Sequence, residues 1–174
     1  LVLGYAVSAM TSLTLRPIDL ARDADLVIRF VREVFALSFD DDRFTREFGA
    51  DGAGYLSWLE DRLAGDPAQA NFALDGSEDV GLLVTGRFHG DPAVGYVYTY
   101  YLAPEARGRG LGEALDEHAM AALRARGYAR ARLSVAEKNL PAMRFYSRRG
   151  WAPVGPRPDQ PGVIYMEKAT GSGS

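Results

Sequence analysis

Tyr96-Val97-Tyr98-Thr99-Tyr100-Tyr101-Leu102-Ala103-Pro104-Glu105-Ala106-Arg107-Gly108-Arg109-Gly110-Leu111-Gly112 changes texture twice. A run of aromatic and β-branched residues reads as a strand, and Ala103-Pro104 stops it. Three glycines alternating with Arg and Leu then open an amphipathic segment from Gly110 to about Arg126, in which Leu111, Leu115, Ala119, Ala122 and Leu123 share one face and Gly127 ends the helix. A strand handing over to a helix through such a loop turns its backbone N–H groups toward the positive end of the helix dipole, where an anion binds. Glycine at 108, 110 and 112 lets the backbone turn tightly, and Arg107 and Arg109 can add charge-assisted hydrogen bonds. The expected ligand is a phosphate or pyrophosphate.

Outward from this unit, Leu13 and Leu15 alternate in a short strand ending at Pro17, and Leu26, Val27, Phe30, Val31 and Val34 recur at helical spacing behind Asp23, the expected N-cap. Phe44 and Phe48, then Tyr55, Leu56, Leu59 and Leu63, predict further helix up to Gly65. Residues 72–74, 80–88 and 94–102 read as three antiparallel strands divided by Asp75-Gly76 and Gly90-Asp91-Pro92. After the glycine-rich unit come a strand over 131–136, a helix over 141–149 and two strands over 151–154 and 163–166. The order predicts an α+β domain around one sheet, spanning 11–169, with residues 1–10 an extension and 170–174 a linker-like tail.

Composition narrows the chemistry. With 174 residues, 47% hydrophobic and 25% charged, one globular core suffices. No cysteine means no disulfide, thiolate metal site or cysteine nucleophile, and two histidines make a histidine-rich metal site a poor expectation, so no metal is expected. A net charge of −3 disfavours broad nucleic-acid binding. The apolar start has no basic leading region, so neither a signal peptide nor a membrane span is expected and the protein is placed in the cytoplasm. No Gly-Lys-Ser/Thr follows the loop, and Glu113 stands where a dinucleotide fingerprint needs its last glycine.

Arg107, Gly110 and Gly112 occupy the defining positions of the coenzyme motif of the GNAT acetyltransferases, and Asn139-Leu140-Pro141-Ala142-Met143-Arg144-Phe145-Tyr146 resembles that family's second signature, in which Asn precedes a helix carrying Phe-Tyr. The resemblance covers about residues 13–167 and is most specific over 102–151. It implies a mixed, mostly antiparallel sheet with flanking helices, splayed between its fourth and fifth strands around acetyl-CoA. The implied roles place the Leu102 backbone against the pantetheine arm, with Arg107, Gly108, Arg109, Gly110, Leu111 and Gly112 around the pyrophosphate. Asn139 would contact the coenzyme or steady its loop, and Tyr146 would protonate the departing thiolate.

The implied reaction is direct attack by a primary amine on the thioester, without an acyl-enzyme. The acceptor is expected to be a small molecule in a pocket of Phe39, Asp42, Tyr98 and Tyr100, whose acidic and aromatic character suits a cationic or aromatic amine. Alternation puts Tyr96, Tyr98 and Tyr100 on one face of the fourth strand and leaves no carboxylate there to act as base; Glu33 and Glu137 are the candidates elsewhere. A peptide amine is the alternative acceptor, and a non-catalytic acyl-CoA sensor is the reading from another class. A homodimer is compatible with either.

Overall fold

The structure, a computed structural model, describes residues 13–39 and 42–171. The expected N-terminal extension, Asp40, Asp41 and residues 172–174 of the tail lie outside the described residues. Seven strands form one sheet: β1 (Leu13–Pro17), β2 (Ala70–Asp75), β3 (Glu78–Arg87), β4 (Val94–Leu102), β5 (Arg130–Ala136), β6 (Ala152–Pro156) and β7 (Val163–Ala169), in the order β1-β2-β3-β4-β5-β7-β6. Every neighbouring pair is antiparallel except β4 and β5. Helices α1 (Leu20–Ser38), α2 (Arg43–Phe48) and α3 (Ala53–Gly65) cover one face through Val27, Phe30, Phe44 and Leu59. On the other face α4 (Leu111–Ala125) and α5 (Leu140–Arg148) bury Leu111, Leu115, Leu123 and Tyr146 against Leu83, Val97 and Leu133. Among the described residues, no helix is long and apolar enough to cross a membrane.

The N-cap of α1 is Asp19 and not Asp23: the Asp19 side chain accepts from the Ala21 N–H at 3.1 Å. Asp23 lies buried one turn into the helix, where Arg16 of β1 donates to it at 2.7 Å and holds its carboxyl far below the usual carboxylate range. Two aspartates four residues apart offer the same local signal. Only the position of Arg16 separates them.

A second departure from simple alternation bears on the site. Val84 pairs with Thr99 and Thr85 with Val97, so Tyr98 is an extra residue in β4, a β-bulge. The bulge reverses the facing of everything after it. Tyr96 and Tyr98 pack with Phe88 and Trp58, whereas Tyr100 turns to the α4 and α5 side and meets Phe145 and Tyr146. The expectation that Tyr96, Tyr98 and Tyr100 share a face is therefore corrected, because a period of two survives only while the ladder is unbroken. The parallel pairing of β4 with β5 stops at Tyr96 and Arg132, just before the bulge, and the two strands then diverge as expected of a sheet splayed at this place.

Candidate active site

The divergence opens a cavity of about 710 Å³ lined by Val97, Tyr100 and Leu102 of β4 on one side and Leu133 to Ala136 of β5 on the other. At one end lie Arg107, Gly108, Gly110, Gly112 and Glu113. Gly108 and Gly110 have φ of 71° and 78°, the left-handed region that favours glycine, and no atom lies within 4 Å of where a Cβ would stand on either. Gly110 is the N-cap of α4, so the N–H groups of the first turn that follows have no intrahelical acceptor and face an open space able to take a phosphate.

The other members of the loop divide the work differently from the sequence expectation. The Arg107 Nε donates to the Leu102 carbonyl at 2.9 Å, bracing the loop against the end of β4. Arg109 turns aside to Asp75 of β2 at 2.7 Å and is absent from the cavity wall. Leu111 is fully buried in the core, so only its backbone N–H is available to an anion. Gly112 serves packing: a Cβ there would stand 3.0 Å from the Phe145 ring.

The free edge of β4 is set by the alternation of antiparallel pairs. Ala103 N–H donates to the Val80 carbonyl at 2.8 Å, so Leu102, opposite Gly81, is a non-hydrogen-bonded pair whose N–H and C=O point away from β3 into the cavity. Tyr100, opposite Leu83, does the same. An extended, amide-bearing chain could add to this edge as a strand would. The residues thus fit a coenzyme with an amide arm and a pyrophosphate.

Across the cleft, Asn139 caps α5 by accepting from the Ala142 N–H at 3.3 Å, and Asn139 also lines the cavity. The cap sets the helix so that Tyr146 reaches the cavity wall from a packed position, edge-on to Tyr100 with ring centroids 5.7 Å apart and beside Trp151. Burial, and secondarily the Asp116 carboxylate, push the Tyr146 phenol well above its ordinary value. Tyr100 is raised by the same burial, then by Asp116 and Tyr146, and its hydroxyl donates to the Gly112 carbonyl at 3.3 Å.

At the far end from the loop, Phe39 and Tyr98 line the cavity, but Asp42 is exposed and does not. The wall there is less acidic than expected: Arg43, Glu47, Ser134, Arg157 and Gln160 supply its polar groups. Arg43 lies over the Phe39 ring at 4.2 Å and pairs with Glu47 at 2.6 Å. Neither candidate base lines this cavity. Glu33 accepts a hydrogen bond from the Tyr101 hydroxyl, and Glu137 borders a smaller adjoining cleft. Among the described residues no cluster of three or more His, Asp or Glu could hold a metal.

Sequence reading missed Arg157 and Asp116. The first lies in Gly155-Pro156-Arg157-Pro158-Asp159-Gln160-Pro161-Gly162, whose density of proline and glycine could have marked a structured loop. Nothing local marks Asp116, which α4 carries fully buried to Trp151, Arg149 and Lys168.

Comparison with known proteins gives a consistent result. The model of the acetyltransferase (GNAT) family matches residues 30–151. A mycothiol acetyltransferase of Beutenbergia cavernae is 44% identical over 64 residues, covering 37% of this chain and 22% of the relative. A phosphinothricin N-acetyltransferase of Streptomyces coelicolor is 30% identical over 141 residues, covering 79% of this chain and 78% of the relative. The chain spans less than half the length of the mycothiol acetyltransferases it matches. The PaiA N-acetyltransferase of Thermoplasma acidophilum, solved with coenzyme A, superposes with a TM-score of 0.71 at 18% identity, covering 91% of this chain and 99% of the other, and so shares the fold.

Proposed function

Since the chain belongs to the acetyltransferase (GNAT) family, we propose that it transfers an acetyl group from acetyl-CoA to the primary amine of a small molecule, by direct attack while both are bound. The observation that carries this reading is the cavity at the β4–β5 divergence, with an anion-binding loop at one end and a walled acceptor space at the other. A small acceptor is favoured because α1, α2 and the loop between β6 and β7 all wall that space. The relatives named mycothiol acetyltransferase and phosphinothricin N-acetyltransferase carry small molecules in their names.

Acetyl-CoA, when bound, supplies a thioester whose carbon–sulfur bond breaks as the amine nitrogen bonds to the acetyl carbon. The α4 N-terminus and Arg107 hold the pyrophosphate, and the Leu102 N–H with the N–H and C=O of Tyr100 holds the amide arm, the Leu102 carbonyl being taken by Arg107. Tyr146 keeps its proton throughout the neutral range, because burial raises its phenol, and it therefore acts as a donor and not as a base. Complete transfer of a phenol proton to a thiolate costs about 2 kcal/mol even with both groups at their ordinary values, and more here. Tyr146 Oη thus stabilises the developing charge on sulfur, and the proton lost by nitrogen ends on the thiol.

Tyr146→Phe keeps the ring packed against Tyr100 and Trp151 and removes only the donor. It is expected to lower kcat by about 100-fold or more while acetyl-CoA affinity stays within about twofold. Thiol release and calorimetric titration measure the two quantities, and an unchanged kcat would remove the donor role. The coenzyme assignment is tested by titrating the wild type with acetyl-CoA and with dephosphorylated pantetheine: micromolar binding only to the first supports the loop's role, and binding to neither overturns it.

A further inference from the structure

We propose that the acceptor amine also carries a carboxylate, as an amino acid does, and that Arg157 anchors it with Arg43 on the opposite wall. The inference rests on the amine-acetyltransferase reading of the same cavity and names the class of acceptor.

The acceptor end carries two arginines, each already paired with one carboxylate but with guanidinium N–H groups to spare. Arg43, Glu47 and Arg157 face it; the other charged residues lining the cavity are Arg107, Glu113 and Arg148, and no lysine, aspartate or histidine is among the described lining residues. Glu47 takes the Nε edge of Arg43. Asp159 takes the Nε and one terminal nitrogen of Arg157, at 2.9 and 3.0 Å, but Asp159 is 63% exposed and stands outside the cavity wall, where solvent and salt screen its charge.

What Asp159 does for Arg157 is orient it. A guanidinium has five N–H donors in a rigid fork. With one edge clamped from the solvent side, the remaining terminal nitrogen faces inward and donates to the Ser134 Oγ of β5 at 3.2 Å. The Tyr96 hydroxyl donates to the same Oγ at 2.9 Å, so Ser134 is itself fixed. This nitrogen keeps a second N–H, and a carboxylate entering beside Ser134 can accept it without breaking the clamp. Arg157 is only 22% exposed, so the bond would form largely out of water.

The same charge distribution serves the nitrogen that attacks. A bare cationic amine would leave the spare N–H of Arg157 unmet, whereas an amino acid brings a carboxylate to accept it. Nearby arginines also disfavour the ammonium form. An α-amine near 8 is already about one-tenth neutral at pH 7, against roughly one part in 2,500 for an ε-amine near 10.4. An α-amino acid is therefore the acceptor least dependent on a protein base, in a cavity whose β4 wall presents no carboxylate.

The test is an acetylation screen, read as thiol release, with the common amino acids, their carboxamides and the corresponding decarboxylated amines. At least one amino acid is expected to exceed its own amide and decarboxylated amine by about 10- to 100-fold in kcat/KM. Arg157→Gln is expected to remove that preference by lowering the value for the acid about 10- to 100-fold, with acetyl-CoA affinity reporting that the variant is folded. Equal or better turnover of the uncharged partners overturns the carboxylate anchor and leaves the amine acetyltransferase standing. An unchanged acid-to-amide ratio in Arg157→Gln overturns the role of that residue. No transfer to any of the three series by an enzyme that binds acetyl-CoA overturns both this proposal and the amine-transfer reading.

Discussion

Gly110→Asp is expected to abolish acetyl-CoA binding in a protein that remains folded. Gly110 caps α4 with a left-handed φ of 78°, and a Cβ there meets nothing within 4 Å. The fold thus has room for the side chain, and the cost is confined to the backbone conformation, on the order of 1 kcal/mol for a residue type that tolerates it comparatively well. An aspartate there also places its carboxylate beside the first-turn N–H groups, at the positive end of the α4 dipole. These are the donors assigned to pyrophosphate. The substitution therefore fills the anion site with the protein's own carboxylate and repels the ligand.

A unit charge about 4 Å from a phosphate oxygen in a partly shielded site opposes binding by about 4 kcal/mol, on the order of a thousandfold in Kd. Titration calorimetry and a thermal melt decide it together: loss of binding with the melt little changed is the expected pair. Binding at wild-type affinity would show that the loop is only a turn. Gly110→Ala separates conformation from charge, since it carries the φ penalty alone and is expected to bind measurably.

Asp116→Ala is expected to give the largest loss of stability among single changes in the cavity's support. The carboxylate is fully buried and accepts from Trp151 Nε1 at 2.9 Å, Lys168 Nζ at 2.5 Å and Arg149 Nε at 3.3 Å, joining α4 to β7 and to the chain leaving α5. Its removal orphans an indole N–H on a residue only 2% exposed and two cations partly shielded from water. Removing one partner of a fully buried ion pair costs about 3–5 kcal/mol. Because Arg149 and Lys168 retain some exposure, about 2–4 kcal/mol is expected, which lowers Tm by about 5–15 °C in a chain of this size.

Denaturant unfolding measures the loss directly, and a change below about 0.5 kcal/mol would mean that the cluster contributes nothing net. Asp116→Asn keeps an acceptor for Trp151 and should lose less. Either variant also removes a negative charge that helps hold the Tyr146 phenol up, so that phenol moves back toward its ordinary value.

Much of this architecture is written locally. The Tyr96–Leu102 run, the Ala103-Pro104 stop and the glycines at 108 and 110 need only neighbouring residues to specify a strand, a break and a helix N-terminus, because φ preferences and side-chain periodicity act within a few positions. Asn139 and Pro141 likewise mark the start of α5 before any fold is known. Hence the element order and the position of the glycine-rich turn were legible in the chain, together with the tyrosine on α5.

Whatever depends on a partner distant in sequence was not. Tyr98 becomes a bulge only when β4 is laid against β3, and that extra residue sends Tyr100 to Tyr146 and Tyr98 to Trp58. Arg109 belongs to Asp75 and Asp23 to Arg16, although each had a plausible local use. The acceptor wall joins Arg43, Ser134 and Arg157 from three separate stretches, and Asp116 is tolerable in the core only because Trp151, Arg149 and Lys168 arrive to pair it. Backbone preference is a property of a residue and its neighbours, so the sequence determined the elements and the glycine turn that opens α4. The energy of a buried charge or of a strand register depends on what lies across the fold, so only the tertiary structure decided the facing of β4 and the charge of the pocket.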